Sequence, residues 1–312
     1  IAILLGILMG NAFTPRPGMM VGLDFTQQYI LKLGIIFLGI RLSFEELIKF
    51  GSIAIPLIII CIVGVLILVK LLIKKVPISS KMSYLIAIGT SVCGATAIVA
   101  TAPVINAKKS EVAYAIANIT LFGVIAMIVY PYFAEWYFDN DALKIGLFLG
   151  TSIHETSQVA AAGLIYDQQF NSPETLNVAT VTKLIRNTFL VILIPLFAFL
   201  YNRGELKGQN YSILSIFPYF VIGFIGMIIV RNIGDQIFTT DNDSYVVWTS
   251  LIGYLKTLAT VFLTMAMAAV GISINLSELK SMGYKPFVVG LIAAITVGFI
   301  SLIYIETLIK FI

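Results

Sequence analysis

Charge is what this chain has least of. Asp, Glu, Lys and Arg make up 12% of its 312 residues, against roughly 25% in a soluble domain, which excludes an ordinary water-soluble globule. The basic excess is small, 20 Lys and Arg against 16 Asp and Glu, and gathers nowhere beyond scattered loop lysines. Nucleic-acid binding therefore has no electrostatic footprint. Cysteine occurs only as Cys61 and Cys93, both inside apolar sequence, and reads as two small buried residues, not a disulfide. Histidine occurs once, as His154. The stretch HETSQ around it begins like the HExxH zinc-protease signature, but Gln158 stands where the second histidine belongs. A Cys93–His154 nucleophilic dyad would have no orienting acid beyond Glu155. No glycine-rich phosphate loop follows a strand. Metal ligation, nucleophilic catalysis and ATP hydrolysis are thus all without a motif, and the chain reads as a non-enzyme with no cofactor and no metal.

What it has instead is hydrophobic sequence, 59% of all residues. Apolar spans fall at about 1–13, 29–41, 51–72, 82–104, 112–137, 142–165, 174–201, 212–230, 246–272 and 286–309. A segment of about 20 apolar residues crosses a bilayer. The runs are continuous and rich in Leu, Ile and Val, unlike the alternation of a β-barrel. The pattern predicts an all-α polytopic membrane protein embedded in the lipid bilayer. The opening run IAILLGILMG has no basic segment before it, so it is not read as a signal peptide. It is expected to follow an earlier hydrophobic helix.

Two spans are odd. Residues 82–104 (MSYLIAIGTSVCGATAIVATAPV) and 142–165 (ALKIGLFLGTSIHETSQVAAAGLI) are apolar at both ends and polar, with glycine, in the middle. Broken helices tolerate this, because their freed backbone groups face protein or a water-filled cavity. The two resemble each other. GTSVCGATAIVA at 89–100 aligns with GTSIHETSQVAA at 150–161, and Pro131 aligns with Pro195 in the helices that follow. A second duplication encloses the first: LGIRLSFEELIKFG at 38–51 aligns with VGISINLSELKSMG at 270–283. If each broken segment is a re-entrant hairpin, Lys and Arg gather on one side, as cytoplasmic loops require. Both duplications then become inverted repeats. Residues 1–72 and 212–312 would form a scaffold bundle, and 82–201 an inner transport bundle whose two broken helices, 82–104 and 142–165, meet near the midplane. Such repeats recur in secondary transporters, and an inner bundle moving against a scaffold would give alternating access.

The broken segments also carry the ionisable groups. A helix N-terminus brought inside a membrane favours an anion. Gly94 would let a substrate approach the backbone, with Cys93 beside it, and Thr90, Ser91, Thr96, Thr151, Ser152, Thr156 and Ser157 would add hydroxyls, unless these only satisfy local backbone. Where the first copy has Cys93, Gly94 and Ala97, the second has His154, Glu155 and Gln158. Where the first following helix has Ile119 and Phe122, the second has Lys183 and Arg186, three apart on one face, with Asn187 next to them. Each charge inside a membrane costs about 2.5–3.5 kcal/mol on insertion scales, so four ionisable groups in one repeat call for a role. A structural ion pair of Glu155 with Lys183 or Arg186 is one reading. The stronger one is an anion site lined by Lys183, Arg186 and Asn187, with His154 and Glu155 as proton-linked partners. Arg41 and Glu46, at a helix end, read as interfacial anchors.

At these motifs the sequence resembles a known family. GTSVCGATAIVATAPVINAKKSEVAYAIANITLFG, GTSIHETSQVAAAG and MAMAAVGISINLSELKSMG are similar to the YeiH-like inner-membrane proteins of bacteria, a family often named for sulfate export. The likeness runs over about residues 1–309, and the family has a further hydrophobic N-terminal segment. It implies a multi-pass carrier of the bacterial plasma membrane, an exporter of sulfate or a related sulfur oxyanion, with the two GTS motifs and VTKLIRN at 181–187 at its site. The alternatives are a sodium- or proton-coupled carrier of an organic carboxylate or sulfonate, since broken-helix carbonyls can bind sodium, and an anion channel. A channel is disfavoured by the asymmetric placement of charge. A homodimer through the scaffold is expected if the inner bundle moves.

Overall fold

A computed structural model describes residues 2–13, 17–72, 78–102, 105–190, 220–238, 244–273 and 284–308, with the single residues 76, 192, 193 and 196. The helices, in chain order, are α1 (Ala2–Ala12), α2 (Pro17–Phe25), α3 (Leu31–Leu38), α4 (Phe44–Leu72), α5 (Ser80–Ser91), α6 (Ala95–Thr101), α7 (Lys109–Phe138), α8 (Ala142–Ser152), α9 (Thr156–Phe170), α10 (Pro173–Thr188), α11 (Phe220–Ile237), α12 (Ser244–Ser273) and α13 (Tyr284–Leu308). No strand occurs among the described residues. In a lipid interior every backbone N–H and C=O must find its partner inside the protein, and a helix does this within one segment. Five helical stretches are long and apolar enough to cross a membrane among the described residues: Gly18–Arg41, Phe44–Leu72, Ser110–Phe138, Ser244–Ser273 and Tyr284–Thr307. The chain is an all-α, multi-pass membrane protein.

The chain divides into two compact units, one of residues 1–49 with 218–278, the other of 50–217 with 279–312. In the first unit α1 lies so close to α12 that a Cβ on Gly10 would run into the Ile272 carbonyl oxygen. Small residues at such contacts let helix backbones approach where no hydrophobic effect drives them together. The Arg41 guanidinium donates to Thr260 Oγ1 at 3.2 Å. Glu46 forms a capping box with Ser43, receiving the Ser43 N–H at 2.8 Å while Ser43 Oγ receives the Glu46 N–H at 3.1 Å. Asp235 joins two helices, accepting from Arg231 on its own helix at 2.5 Å and from the Trp248 indole at 2.8 Å.

The second unit holds α5–α10, α13 and the part of α4 from Phe50 onward. Compactness therefore groups much of α4, and α13, with the broken segments, whereas the scaffold and transport bundle expected from the repeats are a division by movement. Of the outer repeat's second copy, residues 274–283 lie outside the described residues, as does Pro195 of the inner one.

Within this unit both odd segments break and double back. In the first, Lys81 at the start of α5 donates to the Asn106 carbonyl at 2.6 Å. Near the end of α5, a Cβ on Gly89 would meet the Ile98 side chain of α6 at 2.9 Å. Contacts that pair 81 with 106 and 89 with 98 require antiparallel halves. Ser79 hydrogen-bonds Glu111 at 2.5 Å, and a Cβ on Gly89 would also run into the Ile119 side chain, so α7 runs parallel to α5. In the second segment a Cβ on Gly146 would meet Val178 at 2.5 Å, one on Gly150 would meet Thr182 at 2.6 Å, and one on Gly163 would meet Leu176 at 2.8 Å. Rising residue numbers on α8 thus meet rising numbers on α10. On α9 the order reverses, because Asn187 reaches Thr156 at 2.9 Å. Each segment is a helical hairpin lying along the helix that follows it. Apolar residues fill the first, with Met82, Ile86, Ile98, Ile105 and Ile119 in one buried cluster together with Val289 of α13. α13 also reaches the second, where Ser301 Oγ lies 2.7 Å from Thr151 Oγ1.

Candidate functional site

The two hairpin tips meet, and different devices hold them open. At the first, the backbone leaves the helix at Val92 (φ −129, ψ −93) and turns through Gly94 at φ 63, ψ −123. Glycine is required there twice over. A side chain rarely adopts that φ, and a Cβ at 94 would sit 2.5 Å from Glu155 Cγ. The second tip has no glycine. Ile153 and Glu155 are extended, and Glu155 and Gln158 form a reciprocal capping box at the start of α9. In it the Glu155 N–H donates to Gln158 Oε1 at 3.3 Å.

Each break leaves orphan groups: carbonyls where the first half-helix ends and N–H groups where the second begins. Charged side chains complete both kinds. Lys183, on α10, donates to the carbonyls of Val92 at 2.7 Å, Ile153 at 2.9 Å and His154 at 2.5 Å. Arg186, one turn on, donates through Nε to the Ser91 carbonyl at 2.8 Å and through its two Nη atoms to the carbonyls of Thr151 and Thr90. Both cations are fully buried, and each bridges the two tips. At the opposite electrical ends, Glu155 Oε1 accepts from the Ala95 N–H at 3.4 Å and from Thr120 Oγ1 at 3.3 Å. No ion pair joins Glu155 to either cation among the described residues. The arrangement is therefore not a simple buried pair. Cations sit on helix C-termini and the carboxylate on helix N-termini, as the helix dipole favours.

Around these charges lies a set of buried side-chain atoms without a hydrogen-bond partner: Thr90 Oγ1, Ser91 Oγ, Ser152 Oγ, His154 Nδ1, Thr182 Oγ1 and Asn187 Oδ1. Buried polar groups are nearly always paired, so several unpaired ones on the residues of the two tips and the adjoining turns of α10 mark this region as the candidate site. Among the residues expected at a site, the structure brings together Thr90, Ser91, Ser152, His154, Glu155, Lys183, Arg186 and Asn187. Cys93 is a buried free thiol at the first tip. Thr156 is engaged by the Asn187 amide at 2.9 Å. The Thr151 hydroxyl points elsewhere, to the Leu147 carbonyl at 2.7 Å and to Ser301. Thr182 entered the sequence reading only as part of VTKLIRN, and Thr120 escaped it. Thr120 is a lone threonine in a helix, indistinguishable in sequence from one that bonds its own backbone. Gln158 reads as polar in the sequence, but its packing against Gly123, where a Cβ would run into Oε1, and its donation to the Thr120 carbonyl at 3.2 Å depend on the fold. No group of three or more His, Cys, Asp and Glu is placed to hold a metal ion among the described residues.

Comparison with known proteins finds relatives along most of the chain. The sequence model of the family described as "Conserved hypothetical protein 698" matches residues 1–290. A UPF0324 membrane protein of Fusobacterium nucleatum is 33% identical over 307 residues, covering 96% of this chain and 88% of that protein. A UPF0324 membrane protein of Streptococcus agalactiae is 35% identical over 289 residues, 93% of this chain and 83% of that one. The UPF0324 inner membrane protein YeiH of Escherichia coli is 33% identical over 302 residues, 94% and 80%. No solved structure matches the chain.

Proposed function

The chain belongs to the family Conserved hypothetical protein 698, and on that premise we propose that this bacterial membrane protein is a secondary transporter of a small anion, working by alternating access. The observation that supports the reading most is the charge balance where the tips meet. Two fully buried cations, Lys183 and Arg186, are accompanied by one part-buried carboxylate, Glu155. The two helix C-termini and two helix N-termini gathered there cancel one another to first order. The cluster is therefore short of one negative charge, in surroundings where an uncompensated charge is costly. An anion entering among the unpartnered hydroxyls would supply it. The three donors of Lys183 are all engaged by carbonyls, and Arg186 uses three of its five N–H groups. Direct contact then falls to Thr90, Ser91, Ser152 and Asn187, with the cations supplying the field. Sulfate or a related sulfur oxyanion is the first candidate, on the family resemblance, with export its direction. His154 and Glu155 are the candidates for proton linkage.

The test is sulfate counterflow in proteoliposomes, with and without pH and sodium gradients, comparing wild type with Ser152→Ala and Arg186→Ala. A hydrogen bond to a charged group contributes about 1.5–3 kcal/mol, so Ser152→Ala is expected to raise KM roughly tenfold or more. Arg186→Ala is expected to abolish flux. No saturable flux from folded wild-type protein under any gradient would remove sulfate, and the same assay would then be run with organic carboxylates and sulfonates.

A further inference from the structure

The six carbonyls that end α5 and α8 form a cation-binding shell, and the shell is already filled. Two half-helix C-termini bring about half a negative charge each to one place. Carbonyls of this kind, at broken helices inside a membrane, coordinate sodium in transporters that use it. Here the Val92, Ile153 and His154 carbonyls surround one nitrogen at 2.5–2.9 Å, and that nitrogen is Lys183 Nζ. An ammonium has three donors and no acceptor, so its coordination is complete. The three oxygens come from both hairpins, so the cation ties the tips together as a bound ion would. No carboxylate forms an ion pair with it among the described residues, and its direct contacts are all carbonyls.

We propose that the Lys183 ammonium occupies a monovalent-cation site in tethered form. The protein then needs no sodium at its hairpin tips, and a side chain cut back at 183 leaves a shell that takes Na+ or a small alkylammonium. The inference concerns what holds the site together and does not depend on sulfate being the cargo.

The test reads stability and not flux, so its failure and a failure of sulfate transport are separate results. The melting temperature of purified wild type, Lys183→Ala and Lys183→Met would be compared in chloride salts of sodium, methylammonium and choline at equal ionic strength. Wild type is expected to be indifferent to the cation. Lys183→Ala is expected to melt lower in choline and to be raised saturably by methylammonium or sodium, by the usual linkage of ligand binding to stability. Lys183→Met, whose apolar chain fills the space, is expected to melt lower and gain nothing. A saturable sodium effect on wild type would overturn the proposal, and so would a folded Lys183→Ala that melts alike in all three salts. If Lys183→Ala cannot be recovered in any salt, the yields of Lys183→Arg and Lys183→Met decide. Recovery of the arginine variant alone supports a required cation, and no advantage of arginine over methionine refutes it.

Discussion

At the scale of single residues the hairpin tips are held by a few side chains with no slack. Gly94 combines a left-handed φ of 63 with a 2.5 Å approach to Glu155 Cγ. Gly94→Ala incurs backbone strain of about 1–3 kcal/mol and overpacking of about 1–3 kcal/mol. A fall in melting temperature of matching size is expected, and a variant as stable as wild type would show that Glu155 does not pack there. Glu155 itself serves the N-termini of two half-helices, through Ala95 and through the capping box with Gln158. Glu155→Gln retains the length but replaces one acceptor oxygen with a donor. The expected loss is about 1 kcal/mol, the usual contribution of an N-cap. Glu155→Ala should lose more, because it removes the acceptor from both half-helix N-termini. Thermal unfolding of the two variants side by side would show the order.

At the scale of elements the second hairpin depends on glycine where α8 meets α10. A leucine at Gly146 would drive its Cβ to 2.5 Å from Val178, and the whole side chain would have to displace one helix from the other. Gly146→Leu is expected to cost at least the 1–3 kcal/mol typical of overpacking, roughly. Gly253 on α12 is the control, with nothing within 4 Å of its added Cβ, and Gly253→Leu should stay within about 0.5 kcal/mol of wild type. Melting temperatures of the two leucine variants check this directly, and equal losses would contradict the packing described. The comparison also explains why glycines recur in this chain without any turn nearby. Between helices in lipid, close approach of backbones does the work that hydrophobic burial does in water.

At the scale of the whole molecule the doubling back has a consequence for topology. Both ends of a hairpin must emerge on the same face of the membrane. Single cysteines at Lys81 and Asn106, introduced into a background lacking Cys61 and Cys93, should be labelled by an impermeant maleimide from one side. Cysteines at Asn140 and Asn171, at the ends of the second hairpin, should both be labelled from the other. The sides follow from the bias of Lys and Arg toward cytoplasmic loops, which puts 81 and 106 in the cytoplasm. Labelling of 81 and 106 from opposite faces would mean that the first segment spans.

The class of the protein and the position of its breaks were determined by the sequence alone. Scarce charge, long Leu- and Ile-rich runs and the polar interruptions GTSVCG and GTSIHETSQ are local properties, and lipid imposes local rules: a run is apolar enough to be helical in a membrane, or it is not. The gathering of Lys183, Arg186 and Glu155 in one repeat was legible for the same reason, since any charge stands out in such a chain. What those groups bond was decided only by the tertiary structure. Arg186 donates to a carbonyl 95 residues away at Ser91, and Lys183 to one 91 residues away at Val92. An unpaired acid and two bases in sequence suit a buried ion pair equally well. The choice between that pair and cations on helix ends depends on where two half-helices stop in space. That is set by packing between segments distant in the chain, such as Gly94 against Glu155 and Gly146 against Val178, and no local periodicity encodes it.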